Sequence, residues 1–331
     1  MKCLTRLFTC LLGTTTLVIA LSRAIATALT PEEIDAIASQ TTVVIAEGLQ
    51  KGDIENRRDL FDPGSGVIIA RQDNIYYVLT AFHVISTEGV KYGIRTWDGE
   101  VYFSKDELNH NEKEPNILRL GDQQGRIING FDLAIIKFKS NKKYYTAPVN
   151  IASLEQLMPE DALFVSGWPN PENRSAYRVR KFTNGFLSKV NPNPDPNGGY
   201  SLLYSNETST GMSGGPVFNK DGWLIGIHGR GKAEQIAYCV DPQLSRNNNC
   251  GIQMVHFLTT AEAEYLNNLT NLNQESVEPS VIADGLENKE RADVIENIYE
   301  DFTLNFVESA IKNYPSGACW SLLLGEDFCN D

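Results

Sequence analysis

The sequence predicts an all-β fold of the barrel or sandwich type for most of the chain. Short runs rich in β-branched and aromatic residues follow one another, and turn sequences such as Asp98-Gly99 and Asp221-Gly222 separate them. Many short strands at this spacing are typical of antiparallel architectures and not of alternating βαβ units. The predicted strands are residues 41–46, 66–70, 75–80, 92–96, 133–138, 163–167, 186–190, 201–204, 217–219 and 223–228.

The composition allows a folded core and excludes polyanion binding as a general function. The chain has 331 residues, of which 42% are hydrophobic, so its length and composition argue against disorder. Its 29 basic and 42 acidic residues give a formal charge of −13. Such a chain has no net basic field, and we therefore expect no nucleic-acid partner. The basic cluster Arg178, Arg180 and Lys181 is interpreted as a solvated strand face.

Residues 1–28 have the features of a secretory signal peptide. Lys2 and Arg6 precede an apolar run from residue 7 to residue 21, and the small-residue pattern Ala26-Thr27-Ala28 follows it. The run is too short for a membrane anchor, and no stop-transfer pattern follows. We therefore expect cleavage near Leu29, a periplasmic or extracellular mature protein, and no stable membrane span after cleavage.

The sequence Thr30-Pro31-Glu32-Glu33 predicts the start of a short leading helix over residues 29–40. It combines an N-cap, a first-turn proline and a capping-box glutamate.

At the other end, residues 261–331 form an acidic extension with fifteen acidic and three basic side chains. Its polar stretch 267–274 is interpreted as a linker, and apolar residues spaced by three and four between Asp293 and Tyr314 predict one helix.

Four cysteines remain after removal of the signal, and they predict disulfides. In an oxidising compartment the economical pairing is Cys239 with Cys250 and Cys319 with Cys329, although four cysteines permit three connectivities. The sequence has neither close CxxC spacing nor clustered histidines, so we expect no metal site.

Three segments carry residues that belong together chemically. His83 lies on the turn after a strand that ends at Thr80-Ala81, and Asp132 opens an apolar run in which a buried carboxylate needs hydrogen bonds. The third segment places Ser213 among glycines, in Gly211-Met212-Ser213-Gly214-Gly215. A serine hydroxyl needs an imidazole to take its proton, and the imidazole needs a carboxylate to orient it. We expect Ser213, His83 and Asp132 in these roles, with the amides of Gly211 and Ser213 binding the oxyanion.

With these segments in the order His, Asp, Ser, the chain resembles the chymotrypsin-fold serine peptidases of the bacterial trypsin-like kind. The resemblance rests on the strings LTAFHV, DLAI and GMSGGPV and covers residues 41–260, which we interpret as the peptidase domain. It implies two six-stranded antiparallel β-barrels with the site between them, and short helical additions at both ends. It also implies protein or peptide substrates and no cofactor. Trypsin has an Asp where this chain has Met212, so activation through a salt bridge from a new N-terminus is not expected.

The resemblance leaves the specificity pocket open between two alternatives. Thr208 and His228 match the residues with which glutamyl endopeptidases of this fold bind an acidic P1 side chain, and we favour that preference. A buried Glu207 at the pocket floor would instead attract Lys or Arg. Two rival functions are a quality-control protease of the HtrA kind, whose usual PDZ domain the short polar extension argues against, and a non-catalytic binding protein.

Overall fold

The computed structural model describes ten stretches of the chain, and these include every predicted catalytic and pocket residue. The predicted signal peptide, Cys239 and the predicted helix between Asp293 and Tyr314 lie outside them. The described residues are 29–56, 59–105, 116–125, 127–154, 156–173, 176–232, 247–270, 278–286, 319–321 and 327–329.

Helix α1 spans Pro31–Thr41 and precedes the first strand. Thr30 and Glu33 form a capping box, because the Glu33 N–H donates to Thr30 Oγ1 at 3.2 Å and the Thr30 N–H donates to the Glu33 carboxylate at 2.7 Å. Arg180 donates to the Asp35 carboxylate at 2.6 Å, which ties the helix to the second half of the fold. The helix buries one apolar face, made of Ile34, Ile37 and Ala38.

The first half of the fold is a curled, seven-stranded antiparallel sheet ordered β5-β4-β1-β2-β3-β7-β6. It has one strand more than the predicted six and does not close, because β5 and β6 are its two edges. A cluster of buried aliphatic and aromatic side chains fills its concave face. The strands are Thr42–Glu47 (β1), Phe61–Gln72 (β2), Ile75–Thr80 (β3), Lys91–Arg95 (β4), Val101–Lys105 (β5), Ile117–Gln124 (β6) and Ile127–Lys139 (β7).

The second half is a closed six-stranded barrel ordered β10-β13-β12-β11-β8-β9. Its interior forms one cluster with the inner side of α1, so the helix and this barrel share a core. The strands are Ala162–Gly167 (β8), Lys181–Val190 (β9), Leu202–Tyr204 (β10), Pro216–Asn219 (β11), Leu224–Arg230 (β12) and Asn249–Gln253 (β13). The closed barrel and the curled sheet together confirm the predicted chymotrypsin-like fold class.

Short helices lie after the strands and beside them. Helix α4 continues through residues 267–270, which were predicted as part of a linker, and α5 packs against α1. In the part of the chain that the structure describes, no helix is long and apolar enough to cross a membrane. The helices are Ile151–Leu154 (α2), Met254–Leu258 (α3), Ala261–Thr270 (α4) and Pro279–Leu286 (α5).

The cysteines are described only in part. Cys250, at the start of β13, is disulfide-bonded, and its predicted partner Cys239 lies outside the described residues. Strands Cys319–Ser321 (β14) and Asp327–Cys329 (β15) pair antiparallel with Cys319 opposite Cys329. This register suits the predicted pairing of these two cysteines, which stays a prediction.

Candidate active site

His83 and Asp132 meet where β3 and β7 run side by side. Thr80, the last residue of β3, pairs with Ala134 of β7, and His83 lies on the single 3-10 turn Phe82–Ile85 that follows. The His83 Nδ1 and Asp132 Oδ2 atoms are 2.7 Å apart, and the His83 main-chain N–H donates to Asp132 Oδ1 at 2.9 Å. The carboxylate therefore orients both the ring and the backbone of the histidine.

The Asp132 carboxylate is fully buried, at 0% exposure, and ionised. Burial alone raises its pKa, but the charge and hydrogen bond of His83 outweigh that effect, with smaller contributions from Arg230 and Tyr200. The pKa of Asp132 consequently lies below its ordinary value.

The loop that carries Ser213 reaches from the closed barrel to the first sheet. Gly214 has φ +84°, and a Cβ there would lie 2.1 Å from the Ser65 carbonyl oxygen and 2.2 Å from Thr80 Oγ1. Only glycine permits this approach. The Ser65 N–H also donates to the Ser213 carbonyl at 2.8 Å. Ser213 is therefore held near the end of β3, and the turn that carries His83 begins at Phe82, two residues after that strand ends.

The Ser213 hydroxyl is hydrogen-bonded to a main-chain carbonyl and not to the imidazole in this arrangement. It donates to the Gly229 carbonyl at 3.0 Å and makes no hydrogen bond to His83. Catalytic hydrogen bonds are often loose in unliganded sites and tighten when substrate binds. Transfer of the Ser213 proton to His83, the role that the sequence predicts, would therefore require the hydroxyl to leave the Gly229 carbonyl.

Two main-chain N–H groups of the same loop are available to bind an anion. Among the described residues, neither the Gly211 N–H nor the Ser213 N–H donates to another group. The Thr210 carbonyl accepts the Asn170 N–H at 2.7 Å, and in a trans peptide the Gly211 N–H points the opposite way. This bond therefore sets the direction of the first donor.

Comparison with known protein families gives this arrangement a context. Residues 64–227 match the family described as trypsin-like peptidase domain. The chain contains a trypsin-like peptidase domain. The matched residues include His83, Asp132 and Ser213, and the domain is that of chymotrypsin-fold serine peptidases. No curated protein matches the chain significantly.

In this peptidase domain, Ser65 and Arg178 support residues 210–215, which we call the oxyanion loop after the role predicted for its Gly211 and Ser213 N–H groups. The buried Ser65 hydroxyl donates to the Gly211 carbonyl at 2.9 Å and accepts the Trp168 N–H at 2.8 Å. Arg178 donates to the Trp168 carbonyl at 2.9 Å and to Asn170 Oδ1 at 2.7 Å. Burial lowers the pKa of Arg178 to about 10, which leaves it charged near neutral pH.

The basic cluster is therefore not the solvated strand face that the sequence suggested. Arg178 holds Trp168 and Asn170 beside the oxyanion loop, and Arg180 pairs with Asp35 of α1 while donating to Ser166 Oγ at 3.0 Å. Lys181 alone faces outward, where its Nζ lies 3.7 Å from the Glu207 carboxylate. Sequence reasoning could not find these contacts, because the acceptors of Arg178 and Arg180 lie between 8 and 145 positions away in the chain.

Met212, immediately before Ser213, belongs to the core of the closed barrel. Its side chain is completely buried, and a Cβ at Gly167 would lie 2.8 Å from the Met212 Cβ atom. An apolar anchor thus occupies the position that trypsin gives to a carboxylate.

The predicted pocket residues are a buried histidine, a half-buried threonine and an exposed glutamate. The His228 ring is buried, and its Nδ1 atom lies 2.7 Å from the Tyr204 hydroxyl oxygen. Thr208 Oγ1 donates to Asn249 Oδ1 at 2.8 Å. Burial, with smaller effects of the charges of His83 and Arg230, lowers the pKa of His228 to about 3, so the ring is neutral. The Glu207 side chain is 80% exposed, so the hypothesis that a buried Glu207 forms the pocket floor is wrong.

Sequence reasoning missed two further residues at the site. The Tyr200 hydroxyl donates to Asp132 Oδ2 at 2.5 Å, and Arg230 Nε donates to the Tyr200 hydroxyl at 3.0 Å. Neither belongs to a recognisable motif, although Tyr200 directly follows the turn Asn197-Gly198-Gly199. In the described residues, no three His, Cys, Asp or Glu side chains group as metal ligands would.

Proposed function

We propose that the protein is an exported serine endopeptidase that cleaves peptide bonds through Ser213, His83 and Asp132. The observation that carries this proposal is the 2.7 Å pairing of His83 Nδ1 with the buried Asp132 carboxylate, beside the glycine-rich turn that holds Ser213. A buried carboxylate bonded to one ring nitrogen leaves the other nitrogen as the proton acceptor, which is the arrangement that serine activation requires.

The proposed reaction begins when the Ser213 hydroxyl turns from the Gly229 carbonyl to His83 Nε2. Oγ attacks the substrate carbonyl carbon while its proton passes to Nε2, and Asp132 stabilises the resulting imidazolium. The carbonyl oxygen becomes an oxyanion that accepts the N–H groups of Gly211 and Ser213, each worth about 2.7–4 kcal/mol of barrier. Collapse breaks the C–N bond, and His83 returns the proton to the leaving amine. Water then releases the acyl group from Ser213 by the same steps.

Covalent labelling tests the proposed nucleophile. A fluorophosphonate probe should label the protein, and Ser213→Ala should abolish labelling. Ser153→Ala, a serine in α2 away from the site, should label as the wild type does. A folded wild-type protein that takes no label would contradict the peptidase function and favour the non-catalytic binding protein.

We propose further that the pocket prefers an acidic P1 side chain. Thr208 and His228 support this preference, and His228 Nε2 has no hydrogen-bond partner among the described residues. Entry of a carboxylate would favour protonation of this buried imidazole and form a charge-assisted hydrogen bond. The exposed Glu207 offers no buried anion for a basic P1 residue.

A peptide series that differs only at P1 tests the pocket. Cleavage after Glu should exceed cleavage after the isosteric Gln by about tenfold or more, because an ionised partner strengthens the hydrogen bond. Thr208→Val should reduce the ratio between Glu and Gln. Preferred cleavage after Lys or Arg would show that the acidic preference is wrong.

We also propose that the protein is exported and that it becomes active without cleavage at the start of the peptidase domain. The buried Met212 supports the proposal that the oxyanion loop forms without a salt bridge from the N-terminus. A protein expressed from Leu29 to the C-terminus should therefore take the fluorophosphonate label without further cleavage. Labelling only after proteolysis near the start of β1 would contradict this proposal. Fractionation of the source cells would test whether the mature protein is exported.

A further inference from the structure

We infer that Tyr200 and Arg230 are positioning residues of the proposed triad: Tyr200 holds the Asp132 carboxylate in place, and Arg230 orients the Tyr200 hydroxyl. The inference rests on the proposed peptidase function. It assigns a role in catalysis to two residues that do not touch the reacting atoms.

The first step is the contact between Tyr200 and Asp132. The tyrosine is 1% exposed, and its hydroxyl lies 2.5 Å from Oδ2, the same oxygen that faces His83 Nδ1 at 2.7 Å. An ionised carboxylate can only accept, so the phenol donates. With the His83 main-chain N–H on Oδ1, three donors hold the carboxylate, and it cannot rotate without losing them.

The second step is the contribution of Arg230. Its Nε–H donates to the Tyr200 oxygen at 3.0 Å. A guanidinium has only donors, so the phenol oxygen must accept from it, and the phenol hydrogen is committed to Asp132. A donor that itself accepts from a cation is polarised and forms a stronger hydrogen bond.

Glycines on both sides make room for the tyrosine. A Cβ at Gly229 would lie 2.4 Å from Tyr200 Cε1, and one at Gly198 would lie 2.9 Å from Cε2. Gly198 has φ +85°, and its carbonyl accepts the Asp132 N–H at 2.8 Å. The turn before Tyr200 is thus hydrogen-bonded to the backbone of Asp132, the same residue whose carboxylate accepts the Tyr200 hydroxyl.

These contacts predict a measurable effect on the His83–Asp132 pair. The Tyr200 hydroxyl is the third donor to the carboxylate, and it withdraws negative charge from Asp132 Oδ2. Less negative charge then remains to stabilise the protonated form of His83. The charged and titratable groups near the pair on the described elements are Tyr200, Arg230, the neutral His228 and Arg119, which donates to the Ile85 carbonyl at 3.0 Å. Removing the phenol hydroxyl or the Arg230 charge should make His83 easier to protonate.

The test compares Tyr200→Phe with Tyr76→Phe. Tyr76 is a matched control, because it is buried and its hydroxyl donates to the Lys142 carbonyl at 2.9 Å, away from the site. Tyr200→Phe should lower kcat/KM on its pH-independent plateau by about tenfold, mostly through kcat, since it removes one hydrogen bond to a charged group. It should also move the acid limb of the pH profile to higher pH, an effect that a purely structural role would not produce. Tyr76→Phe should change neither quantity.

Arg230 provides a second test if Tyr200→Phe does not fold. Arg230→Met should move the acid limb in the same direction, and Arg230→Lys, which keeps the charge, should restore it. An acid limb that stays in place in these variants, with a plateau within about twofold of the Tyr76→Phe plateau, would overturn the inference. This result differs from failure of the proposed function, in which the wild-type protein itself takes no fluorophosphonate label.

Discussion

Ser65 offers the sharpest perturbation of the site outside the proposed triad. Its buried hydroxyl donates to the Gly211 carbonyl at 2.9 Å and accepts the Trp168 N–H at 2.8 Å, and so joins the first sheet to the oxyanion loop. Ser65→Ala removes one atom and leaves both main-chain groups without this partner.

The magnitude follows from the two lost bonds. An unsatisfied buried polar group costs about 1–3 kcal/mol, so for two such groups we expect the free energy of unfolding to fall by about 2–6 kcal/mol. The Gly211–Met212 peptide also loses its support, so the neighbouring oxyanion donor is held less firmly. Complete loss of one such donor costs about 10²–10³ in kcat, and we expect a smaller loss of about tenfold here.

Urea unfolding followed by tryptophan fluorescence measures the first effect, and kcat normalised to fluorophosphonate-titrated sites measures the second. Ser104→Ala is the matched control, because the buried Ser104 hydroxyl in β5 has no hydrogen-bond partner among the described residues. Removal of the Ser104 hydroxyl should change the free energy of unfolding little or not at all. An unfolding free energy for Ser65→Ala within about 0.5 kcal/mol of that for Ser104→Ala would refute the reasoning.

Two other predictions follow from the same site. Arg178→Met should lower kcat by about tenfold with little change in KM, because it releases the loop that directs the Gly211 N–H, whereas Arg71→Met on the exposed surface should leave both constants unchanged. Because the folded pKa of Asp132 lies below its ordinary 3.8, its stabilising contribution is fully present above that pH and is lost as the pH falls through the folded value. The difference in unfolding free energy between wild type and Asp132→Asn should therefore narrow in urea titrations below about pH 4. If this difference stays constant as the pH falls, the conclusion that the ionised Asp132 carboxylate stabilises the fold is wrong.

Sequence patterns located the elements whose local signals are strong. The capping box of α1 involves Thr30 and Glu33, only three residues apart, so neighbours in sequence determine it. Strands β5, β6, β13, β14 and β15 are not among the predicted strands. The exposed second half of β6 has no apolar alternation, and this strand forms because the long strand β7 offers it hydrogen-bond partners.

The sequence by itself determined the fold class and the three segments proposed to carry the chemistry, because strand runs, turns and motifs are encoded by residues close together in the chain. Only the tertiary structure decided that Glu207 is exposed, that Arg178 braces the oxyanion loop, and that Tyr200 reaches Asp132. Tyr200 and Asp132 are 68 positions apart, and Ser65 and Gly211 are 146 apart. Hydrogen bonds act over about 3 Å and depend on direction, so such contacts exist only after the two halves of the fold have packed together.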